Sequence, residues 1–169
     1  PIVLSAAPSP ALCNGSLDAN IDLTVQNGIL PLSYLWSNNS TLEDLTNLGA
    51  GTNQVTVTDA SACTEIFAVQ VTEPTALVSA GIASESACPG EANGTASFLG
   101  ASQGTPPYSL LWSTNETNPN LSNLAAGNYQ LTLSDANGCS LVESVQVDAF
   151  LPPNVSASVA DAMCFGSNN

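Results

Sequence analysis

The stretch that decides the fold is "LSNLAAGNYQLTLSDANGC", residues 121–139, where an alternating apolar segment runs into a tight turn. Tyr129, Leu131 and Leu133 alternate with polar residues, and this period of two predicts a β-strand. The segment ends at Asn137-Gly138, a dipeptide that readily takes positive φ and is typical of a hairpin turn. The stretch is therefore predicted to be a strand that leads directly into a hairpin.

A closely similar stretch stands earlier in the chain as "LTNLGAGTNQVTVTDASAC", residues 45–63. A second anchor has the same offset, because Trp36 in "LSYLWSNN" and Trp112 in "YSLLWSTN" are as far apart as Cys63 and Cys139. Self-similarity at a fixed period is the signature of a repeat protein. The chain is therefore predicted to contain two copies of one structural unit.

Each copy opens on a Cys-x-Gly signature, found at Cys13, at Cys88 and again at Cys164. The two steps between these cysteines are equal to within one position, so a third copy starts near the end of the sequence. We expect the chain to be a section of a longer repeat array. The predicted division is repeat 1 at residues 1–73, repeat 2 at residues 74–149 and the start of a truncated third repeat at residues 150–169.

Alternation marks other segments of both copies, as in "NIDLTV", where Ile21, Leu23 and Val25 face one way. Short strands separated by turn signals about every eight to twelve residues predict an all-β fold. The residues before the strand of repeat 2 resemble the tyrosine corner of immunoglobulin domains, although repeat 1 has Asn53 in place of Tyr129. The predicted fold class is tandem immunoglobulin-like β-sandwich repeats, each with one disulfide.

The cysteines are expected to pair within each copy, as Cys13–Cys63 and Cys88–Cys139, with Cys164 left for a partner further along the array. Each such bridge would close about 50 residues and contribute about 4 kcal/mol in the chain-entropy model. Disulfides of this kind indicate an oxidising compartment. We expect each bridge to lie near one pole of its sandwich and the linker to lie near the other.

The linkers between copies are short and contain proline, at Pro74 and at Pro152-Pro153. Proline restricts φ and stiffens a linker. Consecutive copies are therefore predicted to pack end to end as a semi-rigid string.

Charge excludes several classes of partner, because the chain has 14 carboxylates and no Lys, Arg or His. Phosphate contacts need basic side chains, so nucleic acid is excluded as a partner. No apolar run is long enough for a membrane-spanning helix, so direct membrane insertion is not expected. The polar surface of Ser, Thr and Asn is typical of extracellular bacterial proteins.

Catalysis is not expected. Without His or Lys a serine nucleophile has no ordinary base, and paired cysteines cannot act as thiolates. The adjacent carboxylates Glu43 and Asp44 align with Pro119-Asn120 and have no counterpart in repeat 2. We therefore predict that the chain is not an enzyme and has no cofactor.

Two pairs of repeated residues have alternative interpretations. Asp59 and Asp135 precede the hairpin turns, where Asp commonly caps a turn through backbone hydrogen bonds, and they are weak candidates for a calcium site. Trp36 and Trp112 are expected in the core beside the disulfides, the alternative being a platform on which sugars stack. The sequence also contains seven Asn-x-Ser/Thr sequons that could carry glycans, at Asn14, Asn38, Asn39, Asn93, Asn115, Asn120 and Asn154.

One pattern of residues is shared by the copies, and repeat 2 carries it in full at Pro107, Tyr108, Trp112, Gly127, Tyr129, Asp135, Gly138 and Cys139. Repeat 1 departs from this pattern at Leu32, Asn53 and Ala62. The pattern resembles the SprB-type repeat of the giant cell-surface proteins of gliding and related Bacteroidetes. The resemblance implies extracellular display, export by the type IX pathway and a role in adhesion, and it brings no catalytic residue.

The predicted function is a non-catalytic extracellular repeat segment of a large bacterial surface adhesin or filament stalk. Its expected partners are neighbouring repeats, surface glycans or other copies in a filament. One alternative is a spacer or carbohydrate-binding array of a secreted hydrolase. Another is a self-assembling fibre or sheath protein.

Overall fold

The computed structural model describes residues 1–150, in which all regular secondary structure is β-strand. The all-β prediction is confirmed. The predicted third repeat beyond Phe150, with Asn154 and Cys164, lies outside the described residues. None of the described residues forms a helix long and apolar enough to cross a membrane.

Repeat 1 folds into two antiparallel three-stranded sheets with the orders β1-β2-β4 and β3-β5-β6. This arrangement is that of an immunoglobulin-type sandwich reduced to six strands. Its strands are β1 (Val3–Ser9), β2 (Ala19–Gln26), β3 (Ser33–Trp36), β4 (Leu45–Leu48), β5 (Gly51–Thr58) and β6 (Thr64–Val71).

Repeat 2 repeats this topology with its first two strands each broken in two. Its sheets have the orders β8-β9-β12 and β11-β13-β14, and β7 pairs with β10 beside them. The strands are β7 (Val78–Ser79), β8 (Ile82–Glu85), β9 (Gly94–Phe98), β10 (Ala101–Ser102), β11 (Ser109–Trp112), β12 (Asn120–Leu124), β13 (Gly127–Ser134) and β14 (Ser140–Val147).

The alternation read from the sequence decides which side chains are buried. In β5, Val55 and Val57 are fully buried, while Thr56 and Thr58, which alternate with them, are partly exposed. In β13, Leu131 and Leu133 take the same places. Each of these strands is the centre of its sheet, so its inward face is covered by the opposite sheet.

The two tryptophans lie in the centres of the two cores. Trp36 and Trp112 are 2% and 1% exposed. Each indole N–H donates a hydrogen bond of 2.8 Å, to the carbonyl of Leu42 and of Asn118 respectively. Because the ring is buried and its polar atom is satisfied, each tryptophan stabilises its own sandwich.

Each sandwich has two distinct ends. We call one the hairpin pole, which in repeat 1 is the turn at residues 59–63 with the loop at residues 27–29. There the Ala60 N–H donates to the carbonyl of Ile29 at 2.9 Å. The other is the exit pole, where β6 ends and the Ala11 N–H donates to the carbonyl of Thr72 at 3.0 Å. The chain enters repeat 1 at the hairpin pole, where Val3 pairs with Gln26, and leaves at the exit pole.

Candidate functional site at the inter-repeat joint

The described residues contain one disulfide, and it joins the two repeats. Cys13 of repeat 1 is bonded to Cys139 of repeat 2, with 5.5 Å between the Cα atoms and 126 residues between them in sequence. The predicted pairs Cys13–Cys63 and Cys88–Cys139 are therefore wrong. Cys63 and Cys88 are free and exposed.

The strand directions explain why a bridge cannot close inside one repeat. Cys13 lies at the exit pole of repeat 1 and Cys63 at its hairpin pole, with the eight residues of β6 between the poles. Eight strand residues span about 26 Å, whereas a disulfide requires Cα atoms within about 7 Å. The same separation, along β14, keeps Cys88 from Cys139. Our expectation that each bridge lies away from the linker is wrong for the same reason.

The bridge places the exit pole of repeat 1 against the hairpin pole of repeat 2. The hairpin pole of repeat 2 is the turn at residues 135–139 with the loop at residues 103–105, where the Ala136 N–H donates to the carbonyl of Thr105 at 2.8 Å. Asn137, in the hairpin of repeat 2, donates from Nδ2 to the carbonyl of Leu12 at 3.0 Å and to Oγ1 of Thr105 at 3.1 Å. The linker reaches the same pole, because the Gly104 N–H donates to the carbonyl of Thr75 at 3.2 Å. Covalent and hydrogen bonds thus converge on one small region.

On the repeat 1 side, a carboxylate fastens the start of the linker. Glu73 accepts one hydrogen bond at Oε1 from Nδ2 of Asn14, at 2.8 Å, and one at Oε2 from the Gly15 N–H, at 2.6 Å. In a chain without basic side chains, amide and hydroxyl groups are the side-chain and backbone donors that carboxylates use. Glu73 therefore ties the linker to the turn that carries Cys13.

The candidate calcium residues are turn caps in this structure. Asp135 accepts hydrogen bonds at Oδ1 from the N–H groups of Asn137 and Cys139, at 3.0 and 2.9 Å, and at Oδ2 from that of Thr105, at 2.9 Å. Asp59 repeats the arrangement in repeat 1. Within residues 1–150 no three metal-ligating side chains lie together. Each carboxylate holds its own hairpin, and Asp135 also positions the bridge through Cys139.

These hydrogen bonds determine the direction of the pKa shifts. For Asp135 the N–H of Thr105 has the largest effect and lowers the pKa, burial opposes it, and the N–H groups of Cys139 and Asn137 lower it further. For Asp59 burial is the largest single effect and raises the pKa, but donation from the N–H groups of Cys63, Ile29 and Ser61 and the positive charge of the amino terminus together outweigh it. Both carboxyl groups have a lowered pKa and hold their turns in the ionised form.

The predicted glycosylation sites within the described residues are all exposed, and three have side chains that form hydrogen bonds. Nδ2 of Asn14 donates to Glu73, Oδ1 of Asn38 accepts from the Ser40 N–H at 3.0 Å, and Oδ1 of Asn93 accepts from the Cys88 N–H at 2.7 Å. The exposed sequon residues are Asn14, Asn38, Asn39, Asn93, Asn115 and Asn120.

Sequence comparison finds one family, because residues 5–41 match the SprB repeat. The matched range begins within β1 and ends shortly after Trp36. The match supports a SprB-type repeat. No curated protein sequence matches the chain.

Several solved structures are similar at low identity. The N-terminal eight Ig domains of Down Syndrome Cell Adhesion Molecule are 10% identical, with TM-score 0.42, over 89% of this chain and 25% of that one. This chain therefore spans a quarter of that structure. Murine CEACAM1b is 12% identical, with TM-score 0.34, over 89% and 100%. The fibronectin(III)-like modules of Clostridium thermocellum CbhA are 15% identical, with TM-score 0.30, over 87% and 94%.

Proposed function

We propose that this chain is a non-catalytic extracellular repeat segment of a large bacterial surface adhesin or filament stalk, in which each sandwich spaces the next away from the cell. The observation that carries the proposal is the joint. There the Cys13–Cys139 bridge and the bonds of Asn137 and Glu73 couple one sandwich to the next.

The joint favours extension over back-folding. The exit pole of repeat 1 meets the hairpin pole of repeat 2, so the two surfaces in contact are different. A head-to-tail contact between different surfaces leaves one surface of each kind unused at the two ends. Repeating it generates an open string wherever the rotation per repeat does not close a ring. With strands of about 20 Å or more and their loops, each repeat advances the string by about 35 to 45 Å.

The joint also supports a stiff string. The linker passes through Pro74, and beside it the disulfide closes a second connection between the same two sandwiches. A single flexible connection permits a wide range of orientations, whereas the proline-containing linker and the bridge together permit fewer. A stalk that must hold a binding region away from a cell needs this property.

The surface chemistry fits an extracellular location. The net charge is -14 with no basic residue, and the joint depends on a disulfide, a bond that persists in oxidising environments. The SprB match favours display on the cell surface of a bacterium that carries such repeats. We propose Bacteroidetes, the type IX pathway and adhesion to surface glycans or other filament copies as the context.

Small-angle scattering of the oxidised chain tests the stalk. We expect an extended particle in which the two sandwich centres lie about 35 to 45 Å apart. The Cys13→Ser variant should show a broader range of interdomain distances, because one of the two connections is lost. Cys88→Ser is the matched control, since that cysteine is exposed and unpaired and its loss leaves the joint intact. A compact particle with the sandwiches side by side would refute the stalk.

A further inference from the structure

We propose that Cys63 and Cys88 are the two open halves of the same bridge that joins Cys13 to Cys139. Cys88 would pair with the second cysteine of a following repeat, and Cys63 with the first cysteine of a preceding one. The partner is thus another repeat of this kind. This inference rests on the proposed stalk and adds that its joints are cross-linked in series.

The first cysteine of each repeat occupies the same turn. In repeat 1 the Ser16 N–H donates to the carbonyl of Cys13 at 3.1 Å, and in repeat 2 the Glu91 N–H donates to that of Cys88 at 3.0 Å. The glycines in these turns, Gly15 and Gly90, have φ of 75° and 79°.

Each of these turns is held beside the last strand of its sandwich. The Ala11 N–H donates to the carbonyl of Thr72, and the Ala87 N–H donates to that of Asp148 at 2.9 Å. Cys88 therefore lies at the exit pole of repeat 2 as Cys13 lies at that of repeat 1.

The second cysteine of each repeat also occupies a common turn. The N–H of Asp59 donates to the carbonyl of Cys63 at 3.0 Å, and the N–H of Asp135 donates to that of Cys139 at 3.0 Å. The aspartate Oδ1 accepts from the cysteine N–H at 3.0 Å in repeat 1 and 2.9 Å in repeat 2. Cys63 is therefore presented at the hairpin pole of repeat 1 as Cys139 is presented at that of repeat 2.

One rule follows from the observed bridge: the first cysteine of a repeat pairs with the second cysteine of the next. In two repeats this pairing consumes Cys13 and Cys139. It leaves Cys63 at the hairpin pole of repeat 1 and Cys88 at the exit pole of repeat 2, which are the two outer ends. These are the two free, exposed cysteines of the described residues. They cannot pair with each other in one molecule, because two sandwiches lie between them.

The side chains around the observed bridge are less regular than the cysteines. Ser61 stands where Asn137 stands, and Ala149 stands where Glu73 stands, so neither of these hydrogen bonds is available at the outer ends in the same form. The turns are shared by both repeats while the flanking bonds are not. We therefore assign the cysteine pair, and not the flanking bonds, as the recurring element of the joints.

Closing a bridge is a two-electron oxidation. Two thiols lose two protons and two electrons as the sulfur–sulfur bond forms, and a low-molecular-weight disulfide such as oxidised glutathione accepts them and becomes two thiols. The partner cysteine could belong to the next repeat of the same chain or to a second molecule. A short linker gives the former an effective concentration in about the millimolar range, which favours pairing within the chain.

The first test lengthens the full chain. A second copy of residues 74–149 is inserted between Ala149 and Phe150, with Cys164→Ser to remove that thiol. After oxidation with glutathione at low protein concentration, we expect alkylation to mark Cys63 and the inserted copy's Cys88, and the original Cys88 to be bonded to the inserted copy's Cys139. Replacing the inserted copy's Cys139 by Ser should return the original Cys88 to the alkylated set. Full alkylation of the original Cys88 without that replacement would overturn the proposal.

The second test uses the full chain with Cys164→Ser at high concentration, where a partner must come from a second molecule. Random encounter of two thiol types would make about half of the links Cys63–Cys88, whereas a head-to-tail contact makes almost only those. Peptide mapping without trypsin, which has no site in this chain, measures the ratio. A random mixture would also overturn the proposal. An extended particle by scattering with a free Cys88 would leave the stalk standing and remove only the serial bridges.

Discussion

The two repeats differ most in their first two strands and least in their last hairpin, which is β5–β6 in repeat 1 and β13–β14 in repeat 2. In repeat 1, β1 and β2 pair through seven consecutive residues. In repeat 2 the same strands are broken into β7, β8, β9 and β10, which pair through four residues and then two. By contrast, β5–β6 and β13–β14 each pair through eight residues in matching register.

The break does not shift the register of the two strands. Ser79 pairs with Ala101 and Ile82 with Phe98, so two residues separate the paired segments on each strand. Gly81 and Gly100, with φ of 99° and 125°, stand at the interruption. β5 and β13 keep the same register against the strands that carry Trp36 and Trp112. A shift by one residue would turn Val55 or Leu131 from the core to the outside.

The cores compensate for different side chains at equivalent places. Ile21 and Leu23 of β2 are replaced by Ala96 and Phe98 in β9, so a loss of volume at one position is offset at the next inward position. The tryptophan is common to both cores. The comparison indicates that the fold depends on the tryptophan and the hairpin strands, whereas the first two strands tolerate differences in pairing and in side-chain size.

The largest expected effect is from the shared tryptophan. Trp36→Ala should destabilise repeat 1 by about 3 to 5 kcal/mol, the usual cost of emptying a buried aromatic site, and Trp112→Ala should do the same to repeat 2. Because each repeat holds one tryptophan, the remaining indole reports the unaffected sandwich by fluorescence while circular dichroism follows both.

Leu35→Ala is the matched control, since this neighbouring side chain is 54% exposed and such surface changes stay within about 0.5 kcal/mol. If Trp36→Ala lowered the midpoint reported by Trp112 as strongly as that of repeat 1, the two cores would not be independent and the comparison would fail.

The next effect sharpens the contrast in the second strand. Gly94 of repeat 2 stands where repeat 1 has Ala19, and a Cβ on Gly94 would lie 2.6 Å from Cγ1 of Val147 and 3.0 Å from the carbonyl oxygen of Leu124. Gly94→Ala should destabilise repeat 2 by about 1 to 3 kcal/mol through overpacking. Val147→Ala should cost less in the Gly94→Ala background than it does alone, because the smaller side chain relieves one of the close contacts. An unchanged urea midpoint for Gly94→Ala alone would contradict the close packing.

A smaller effect is expected from the tyrosine corner, which only repeat 2 has. The Tyr129 hydroxyl donates to the carbonyl of Ala125 at 2.9 Å, while repeat 1 has Asn53 at this place. Tyr129→Phe should cost repeat 2 about 1 kcal/mol, the net value of one hydrogen bond, measured by urea unfolding. Asn53→Ala is the control in repeat 1, and equal losses in both variants would mean that the hydroxyl contributes nothing specific.

The fold followed from the sequence because its signals are local. A period of two between Tyr129 and Leu133 and the turn at Asn137-Gly138 both act within a few residues, so they predict strand and hairpin without knowledge of the rest of the chain. The burial of Trp36 and Trp112 likewise follows from their place in such strands.

The joint could not be predicted in the same way. A repeat alignment tells which cysteines are equivalent, but it does not tell whether Cys13 bonds within its own copy or to the next, since both pairings respect the repeat. The choice depends on which pole each turn occupies, and this is a property of the folded sheets. The bonds of Glu73 and Asn137 have no sequence signal, because each brings together distant residues at a contact that exists only between folded sandwiches.

The last effect is the pH dependence that the turn carboxylates give to stability, which is negligible at neutral pH and grows on acidification. Asp135 has a folded pKa below its ordinary value of 3.8, so its ionised form contributes stability that is fully present above that value and is lost as pH falls through the lowered folded pKa. Unfolding in urea should therefore become easier below about pH 4. Asp135→Asn takes up no proton in this pH range and should show a shallower pH dependence of the repeat 2 midpoint. Asp59→Asn should change the pH dependence of repeat 1 less. At Asp59 burial is the largest effect and opposes the lowering of the pKa, and the Ile29 N–H lies 3.4 Å from Oδ2, whereas the Thr105 N–H lies 2.9 Å from Oδ2 of Asp135. An acid profile of repeat 2 that Asp135→Asn leaves unchanged would mean that other carboxylates cause the acid sensitivity.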